Sequence, residues 1–355
     1  MLRRILSNDM PRSRWLALLL ILLVLGLAFA PFLVPGVKAM NVAAKIVIFI
    51  VLVASFDLLL GYTGIVSFAH TMFFGIGAYG VAIASTTMGP GWVSLAAGMG
   101  WAIALSCLLA FVIGLFSLRV RAMFFAMITL AVGSAFASLA SQLSDLTGGE
   151  DGLTFSVPAI ISPGFEFGKP LFGVALDGRL ICYYLIFGLA LLQVLAMLRI
   201  VNSPFGRVLQ AIRDNEFRAE AIGYPVIVYR TMAAVLSALF ACLAGGMLAL
   251  WLRYNGPDTS LSMEIMVDVL LIVVIGGMGT IYGAAIGATI FIIAQNYLQD
   301  LLAVVDKTSG SLPGVASVLS PDRWLLWLGL LFVLSVYFFP TGIVGTLRDT
   351  PERKH

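Results

Sequence analysis

Charge is what this sequence has least of. Only 11% of its 355 residues are Asp, Glu, Lys or Arg, against roughly 25% in an average soluble protein. Hydrophobic residues make up 61%. A water-soluble fold of this size could not hide that much apolar surface without exposing large patches, so a bilayer must take the role of the core. The net charge of +3 argues against nucleic acid as a partner, which calls for clustered Lys and Arg on a soluble face. Histidine is nearly absent, with only His70 and His355. Cys107, Cys182 and Cys242 sit singly inside apolar runs with no CxxC spacing. They read as small buried hydrophobes, and a zinc or haem site lacks its ligands. No GxxxxGK[ST] loop, HExxH or Ser-His-Asp arrangement occurs. The chain is therefore expected to be no enzyme and to need no cofactor or metal. Any ATP-driven work falls to a separate subunit.

What is abundant fits a membrane bundle. There are 36 glycines, and small residues let spanning helices approach closely where no hydrophobic effect drives them together. About ten apolar segments can be marked, over 15–34, 42–60, 65–86, 93–118, 122–141, 180–199, 230–251, 264–276, 281–299 and 324–339. Most can cross ~30 Å of hydrocarbon. The fold class predicted is an all-α integral membrane protein, a polytopic bundle with broken or re-entrant helices, forming one transmembrane domain over 1–355. The 264–276 segment is short enough to be a half-helix, a form allowed only where protein or water satisfies its backbone. The first run follows Arg3, Arg4, Arg12 and Arg14 and could pass for a signal peptide. Its spanning length and Pro31 favour an uncleaved helix.

With the N-terminus inside, 14 of the 21 Lys and Arg residues fall on the inner side and 7 on the outer. That bias predicts cytoplasmic termini. The longest outer loop, 142–179, could form a docking surface or be a solvated connector. The inner segment 200–229 is more distinctive. Ser203-Pro204 is a helix start, and Phe205, Val208, Leu209 and Ile212 place apolar groups on one face. Asp214-Asn215 can restart a second helix, which Gly223 and Pro225 stop. The pattern predicts a compact helix pair. It reads either as a lever docking into a cytoplasmic protein or as an element lying on the lipid headgroups.

Ionisable residues inside spans are functional candidates by default. They are Lys45, Asp57, His70, Glu264 and Asp268. Lys45 can snorkel to the outer surface. Two glycine clusters add to them. One is Gly61-Tyr62-Thr63-Gly64, followed by Gly75, Gly77 and Gly80. The other is Gly276-Gly277-Met278-Gly279, followed by Gly283 and Gly287. Transporters present helix ends and bare carbonyls to substrate at such breaks. Asp57, Gly61, Tyr62, Thr63, Gly64, His70, Glu264, Asp268, Gly276, Gly277 and Gly279 are accordingly expected along a translocation pathway. Structural contact between helices is the competing reading for each.

Four stretches carry a family resemblance. They are Asp57-Leu-Leu-Leu-Gly61-Tyr-Thr-Gly64 through Phe74-Gly-Ile-Gly-Ala-Tyr79, then Leu146-Thr-Gly-Gly149-Glu-Asp-Gly152-Leu, then Ser203-Pro-Phe-Gly206-Arg-Val-Leu-Gln-Ala-Ile-Arg213-Asp-Asn215-Glu216 on to Gly223, and Ile275-Gly-Gly277-Met-Gly279-Thr-Ile-Tyr-Gly283. The sequence resembles LivM-type permease subunits of branched-chain amino-acid ABC importers. The resemblance implies a LivH-like second permease, two ABC ATPase subunits and a periplasmic solute-binding protein, in a bacterial inner membrane. It also implies that the helix pair seats in the ATPase. Arg213, Asp214, Asn215, Glu216 and Arg218 would make that contact, and Gly223 closes the element. The solute stays open, since relatives move branched-chain amino acids, urea or small carboxylates including aromatic acids. Two other classes compete. A stand-alone carrier or channel would use Asp57, Glu264 and Asp268 as ion sites, and a membrane enzyme would need catalytic residues the chain barely supplies. Under the importer reading, Glu216→Arg is expected to uncouple transport while the protein still inserts and folds. Unchanged ATP-driven uptake by that variant refutes it.

Overall fold

The computed structural model describes residues 13–34, 36–117, 122–166, 168, 176–309 and 323–348. The basic lead at Arg3, Arg4 and Arg12, the pair Arg119 and Arg121, part of the 142–179 loop, most of the 300–323 loop and the tail with Arg353 and Lys354 lie outside the described residues.

Long helices are α1 (Arg14–Leu33), α2 (Val37–Thr63), α3 (His70–Met88), α4 (Trp92–Ser117), α5 (Ala122–Gln142) and α6 (Gly178–Val201). Two short helices follow, α7 (Pro204–Asp214) and α8 (Glu216–Ala221). Then come α9 (Val226–Leu252), α10 (Met263–Gly276), α11 (Ile281–Ser309), α12 (Trp324–Phe338) and the short α13 (Gly342–Arg348). Among the described residues, ten stretches are long and apolar enough to cross a membrane, as the sequence predicts. The chain is a polytopic, all-helical membrane protein.

Burial ranks these helices. The apolar window of α2 is 94% buried, against 17% in α1 and in α5, so α2 is the axis of the bundle. Its 27 residues make a rod about 40 Å long at 1.5 Å per residue. The outer helices turn Leu22, Phe29, Trp101, Phe111 and Leu325 outward, the pattern of lipid-facing walls.

Glycine sets how closely the inner helices pack. A methyl added at Gly77 of α3 would overlap the carbonyl of Cys242 on α9, and one at Gly245 of α9 would overlap the carbonyl of Phe74. Gly98 of α4 meets the carbonyl of Gly80 in the same way. Main chain therefore lies against main chain along α3, α4 and α9, where dispersion is gained over the longest contact.

Two boundaries differ from the hydropathy pattern. Residues 65–69 are mostly apolar but not helical, and α3 starts at His70. Gly64 takes the left-handed conformation, with φ 74°, and ends α2. The interruption at Gly276-Gly277 is a tight turn rather than a gap between end-to-end half-helices. Gly277 and Gly279 have φ of 111° and 80°, and α11 runs back along α10. Gly276 then meets the carbonyl of Gly283, and Gly287 meets that of Ile272. With 14 residues, α10 is about 21 Å long, the short helix that the sequence predicted.

Part of the 142–179 loop is tied down. Strand β1 (Leu153–Thr154) pairs antiparallel with β2 (Tyr254–Asn255), just after α9. Gly148, Gly149 and Gly152 all have positive φ, which explains the glycines of the Leu146–Leu153 motif.

Substitution at Gly77 tests this packing. Gly77→Val is expected to cost about 3 kcal/mol by overpacking and to abolish the monodisperse peak in fluorescence-detected size exclusion. Gly100→Val, whose added group meets nothing within 4 Å, is expected to elute as the parent does.

Candidate functional site

The helix pair forms as its sequence dictates. Ser203 caps α7 by accepting from the Gly206 amide at 3.4 Å, and Pro204 occupies the first turn. Leu209 and Ile212 are buried, and Phe205 stacks on Tyr229 of α9 at 5.7 Å between centroids. The Asn215 side chain accepts from the Arg218 amide at 3.0 Å and caps α8. Gly223, with φ 100°, closes the element. Asp214, Asn215, Glu216 and Arg218 are exposed. Glu216 also pairs with Arg230 of α9 at 2.8 Å, so Glu216→Arg removes an internal brace as well as a surface charge. Phe217 is 85% exposed and Ile222 69%. Sequence reasoning passed over both, because an apolar residue in a short amphipathic stretch reads as inward-facing.

Arg213 is exposed as well, yet its tip reaches back to the bundle. Its guanidinium donates to the carbonyl of Gly61, in the last turn of α2. That carbonyl is one of the helix-end acceptors without an intrahelical partner, and a cation there also suits the helix dipole. Gly61 packs directly on Gly279, where a methyl would meet the Gly279 main chain. The Gly279 amide then donates to Asp57 Oδ1 at 2.8 Å and Oδ2 at 3.1 Å. Thr280 Oγ1 staples the same turn by donating to the Gly277 carbonyl at 2.9 Å. From behind, Thr341 and Gly342 back onto Gly277. Both glycine clusters thus meet in one joint, at the end of the bundle that carries α7 and α8. Asp57 is 1% exposed. A buried carboxylate is tolerable only when bonded, and the turn's amides fill that role.

The pathway candidates accordingly separate into three places. Asp57, Gly61, Gly276, Gly277 and Gly279 belong to the joint, with Gly64, Tyr62 and Thr63 at the adjoining end of α2. Buried His70 bonds Ser55 Oγ at 2.9 Å, lies 3.3 Å from the Leu52 carbonyl and sets its ring edge-on to Phe56. It fastens the start of α3 to α2. Glu264 and Asp268 stand elsewhere again, at the opposite end of α2.

There α2, α9, α10 and α11, with residues 258–262, border an open cavity of about 670 Å³. Glu264, Asp268 and Lys45 line it, together with Asn41, Gln295 and Asn296. Lys45 Nζ donates to Gln295 Oε1 at 3.0 Å, and Gln295 Nε2 donates to Asp268 Oδ2 at 3.2 Å. At the rim Lys38 pairs with Asp300. Lys45 does not simply snorkel as expected. It is half-buried and turned to the cavity. The signal was the polar stripe Lys38, Asn41, Lys45 at helical spacing on an otherwise apolar helix.

A family model described as the permease component of the branched-chain amino acid transport system matches residues 38–336. The chain belongs to this permease family. It is similar to the high-affinity branched-chain amino acid transport permease LivM of Salmonella typhimurium and to that of Escherichia coli. Each is 27% identical over 95% of this chain and 76% of the relative. A probable LivM of Methanocaldococcus jannaschii is 26% identical over 68% of this chain and 67% of its own. No solved structure matches. The family match spans α2 to α12, so it takes in both the joint and the cavity of this permease.

The joint makes a direct prediction about Asp57. Asp57→Leu leaves the Gly279 amide buried without its acceptor and is expected to cost ~1–3 kcal/mol. Asp57→Asn, which keeps an acceptor oxygen, is expected to lose less. Thermal unfolding of the purified permease, followed by tryptophan fluorescence, ranks the two.

Proposed function

We propose that this permease is the membrane-spanning subunit of an ATP-driven importer that carries branched-chain amino acids across the bacterial inner membrane by alternating access. Both termini face the cytoplasm, in keeping with the Lys and Arg bias. Its partners are a LivH-like second permease, two ABC ATPase subunits and a periplasmic solute-binding protein. The solute follows what the similar LivM permeases are named for.

One observation carries the reading. The exposed helix pair is hard-wired through Arg213 to the end of the most buried helix. A connector or a lipid-resting helix needs no such contact. The ATPase docks on the outer face of α7 and α8, where Phe217 and Ile222 supply apolar anchors among Asp214, Asn215, Glu216 and Arg218. Closure of the ATPase dimer displaces α7. Arg213 passes that displacement to the last turn of α2 and to the 277–280 turn held by Asp57. Because α2 is packed from Val42 onward, its far end moves with it, and the cavity changes shape. Nucleotide need only favour one packing over the other by a few kcal/mol. In this scheme Asp57, Gly61, Tyr62, Thr63, Gly64, Gly276, Gly277 and Gly279 transmit motion, and Glu264 and Asp268 meet solute. A stand-alone carrier using Asp57 as an ion site fits less well, since the carboxylate is enclosed by main chain.

Affinity capture of the chain from detergent-solubilised membranes of its host tests the assembly. A second permease and Walker-containing ATPases are expected to accompany it. The chain alone, with uptake insensitive to ATP depletion, overturns the reading. Within the complex, Phe217→Asp is expected to lose the ATPase subunits on purification. Arg213→Met is expected to retain them while ATP-driven uptake falls about tenfold, the effect of one charged hydrogen bond.

A further inference from the structure

The cavity between α2, α9, α10 and α11 holds an unusual arrangement of charge. Lys45 and Asp268 carry opposite charges on facing helices, both half-buried. They do not form a direct ion pair. The amide of Gln295 stands between them, its oxygen toward the ammonium at 3.0 Å and its nitrogen toward the carboxylate at 3.2 Å. Two helices built only to neutralise buried charges would close the pair and remove the spacer. Here the charges are held apart, and each keeps capacity for another partner. An ammonium has three donors and a carboxylate two oxygens, and Gln295 takes one donor and one oxygen. The walls beside them are apolar, formed by Phe49, Leu248, Trp251 and Ile265. The volume of about 670 Å³ lies within the range of small-molecule sites, roughly 300–1,000 Å³.

We infer that this cavity binds the zwitterionic headgroup of a free α-amino acid, with Lys45 taking the carboxylate, Asp268 the ammonium, and the apolar wall the side chain. The inference rests on the importer reading and gives recognition of its solute to named residues of one cavity. The Gln295 amide already presents an acceptor to Lys45 and a donor to Asp268 across a single carbon. An α-amino acid repeats that polarity at similar span, so it lies alongside the amide and meets both charges at once. A neutral solute such as urea satisfies neither charge fully. An acid without an amine leaves Asp268 facing its own like charge. Glu264 at the cavity wall strengthens that rejection and draws the ammonium end inward. Sites built to pair a polar group discriminate strongly against analogues that lack it, because their own groups are left unpaired.

The test uses the assembled complex in proteoliposomes with ATP on the ATPase side and the solute-binding protein outside, reading uptake of radiolabelled L-leucine. Lys45→Met and Asp268→Asn are each expected to cut uptake about tenfold or more, with every subunit still co-purifying. Uptake equal to the parent's in both variants overturns the site. A triple variant, Lys45→Met with Asp268→Leu and Gln295→Leu, separates recognition from structure, since it removes the buried polar groups together. Should a single variant fail to assemble, the triple variant decides. Assembly with uptake still lost supports recognition. Assembly with uptake restored shows that the three residues only held the helices, and overturns the inference. Parent complexes that move no amino acid under ATP refute the importer reading itself, and the site with it. Parent uptake with unaffected variants refutes the site alone.

Discussion

Main chain lying against main chain is the constraint on which this structure depends. Lipid tails are as apolar as the side chains they surround, so nothing expels these helices from their solvent toward one another. Cohesion must come from dispersion over long, close contact, and glycine is what permits it. The Gly77–Cys242, Gly245–Phe74 and Gly80–Gly98 approaches hold α3, α4 and α9 together. The Gly276–Gly283 and Ile272–Gly287 approaches hold the α10–α11 hairpin. The same device continues at Gly61 and Gly279, where it joins two packed units and lets a main-chain amide reach a buried carboxylate. Packing and polar chemistry are one feature there, because only bare backbone can come close enough to bond.

The axis helix connects what its neighbours separate. One end of α2 meets the Arg213 contact and the other lines the cavity through Lys38, Asn41 and Lys45. Its buried flanks leave little freedom to bend, since a close-packed interior transmits displacement rather than absorbing it. A single element therefore joins the exposed helix pair to the cavity. This arrangement favours two discrete packings over a continuum.

Much of this was legible in the sequence, and the remainder was hidden for definable reasons. Ten spans followed from length and apolar composition, because a bilayer imposes both. The helix pair followed from Ser203-Pro204, Asn215 and Gly223, whose cap and turn preferences are local. The start of α3 was set too early, since residues 65–69 are mostly apolar and hydropathy is blind to the left-handed turn at Gly64. The glycine clusters were recognised as special but given to a solute path. Their partners are each other, and contact between residues two hundred positions apart leaves no local pattern. Asp57 had no visible partner for a related reason, as its partner is a main-chain amide that any residue type can supply. Lys45 was judged by its position near a helix end, which says how deep it lies and not which way it faces.

The short helix α13 backs onto the 277–280 turn through Thr341 and Gly342, and Val344 packs with Leu16 and Ile286. These residues leave the ribosome after the other described helices. A nascent chain can therefore have its spans inserted while the turn that faces Gly61 and Arg213 still lacks its support. Order of synthesis therefore lets Arg213, Gly61 and Gly279 meet first, and the brace behind their turn arrives last.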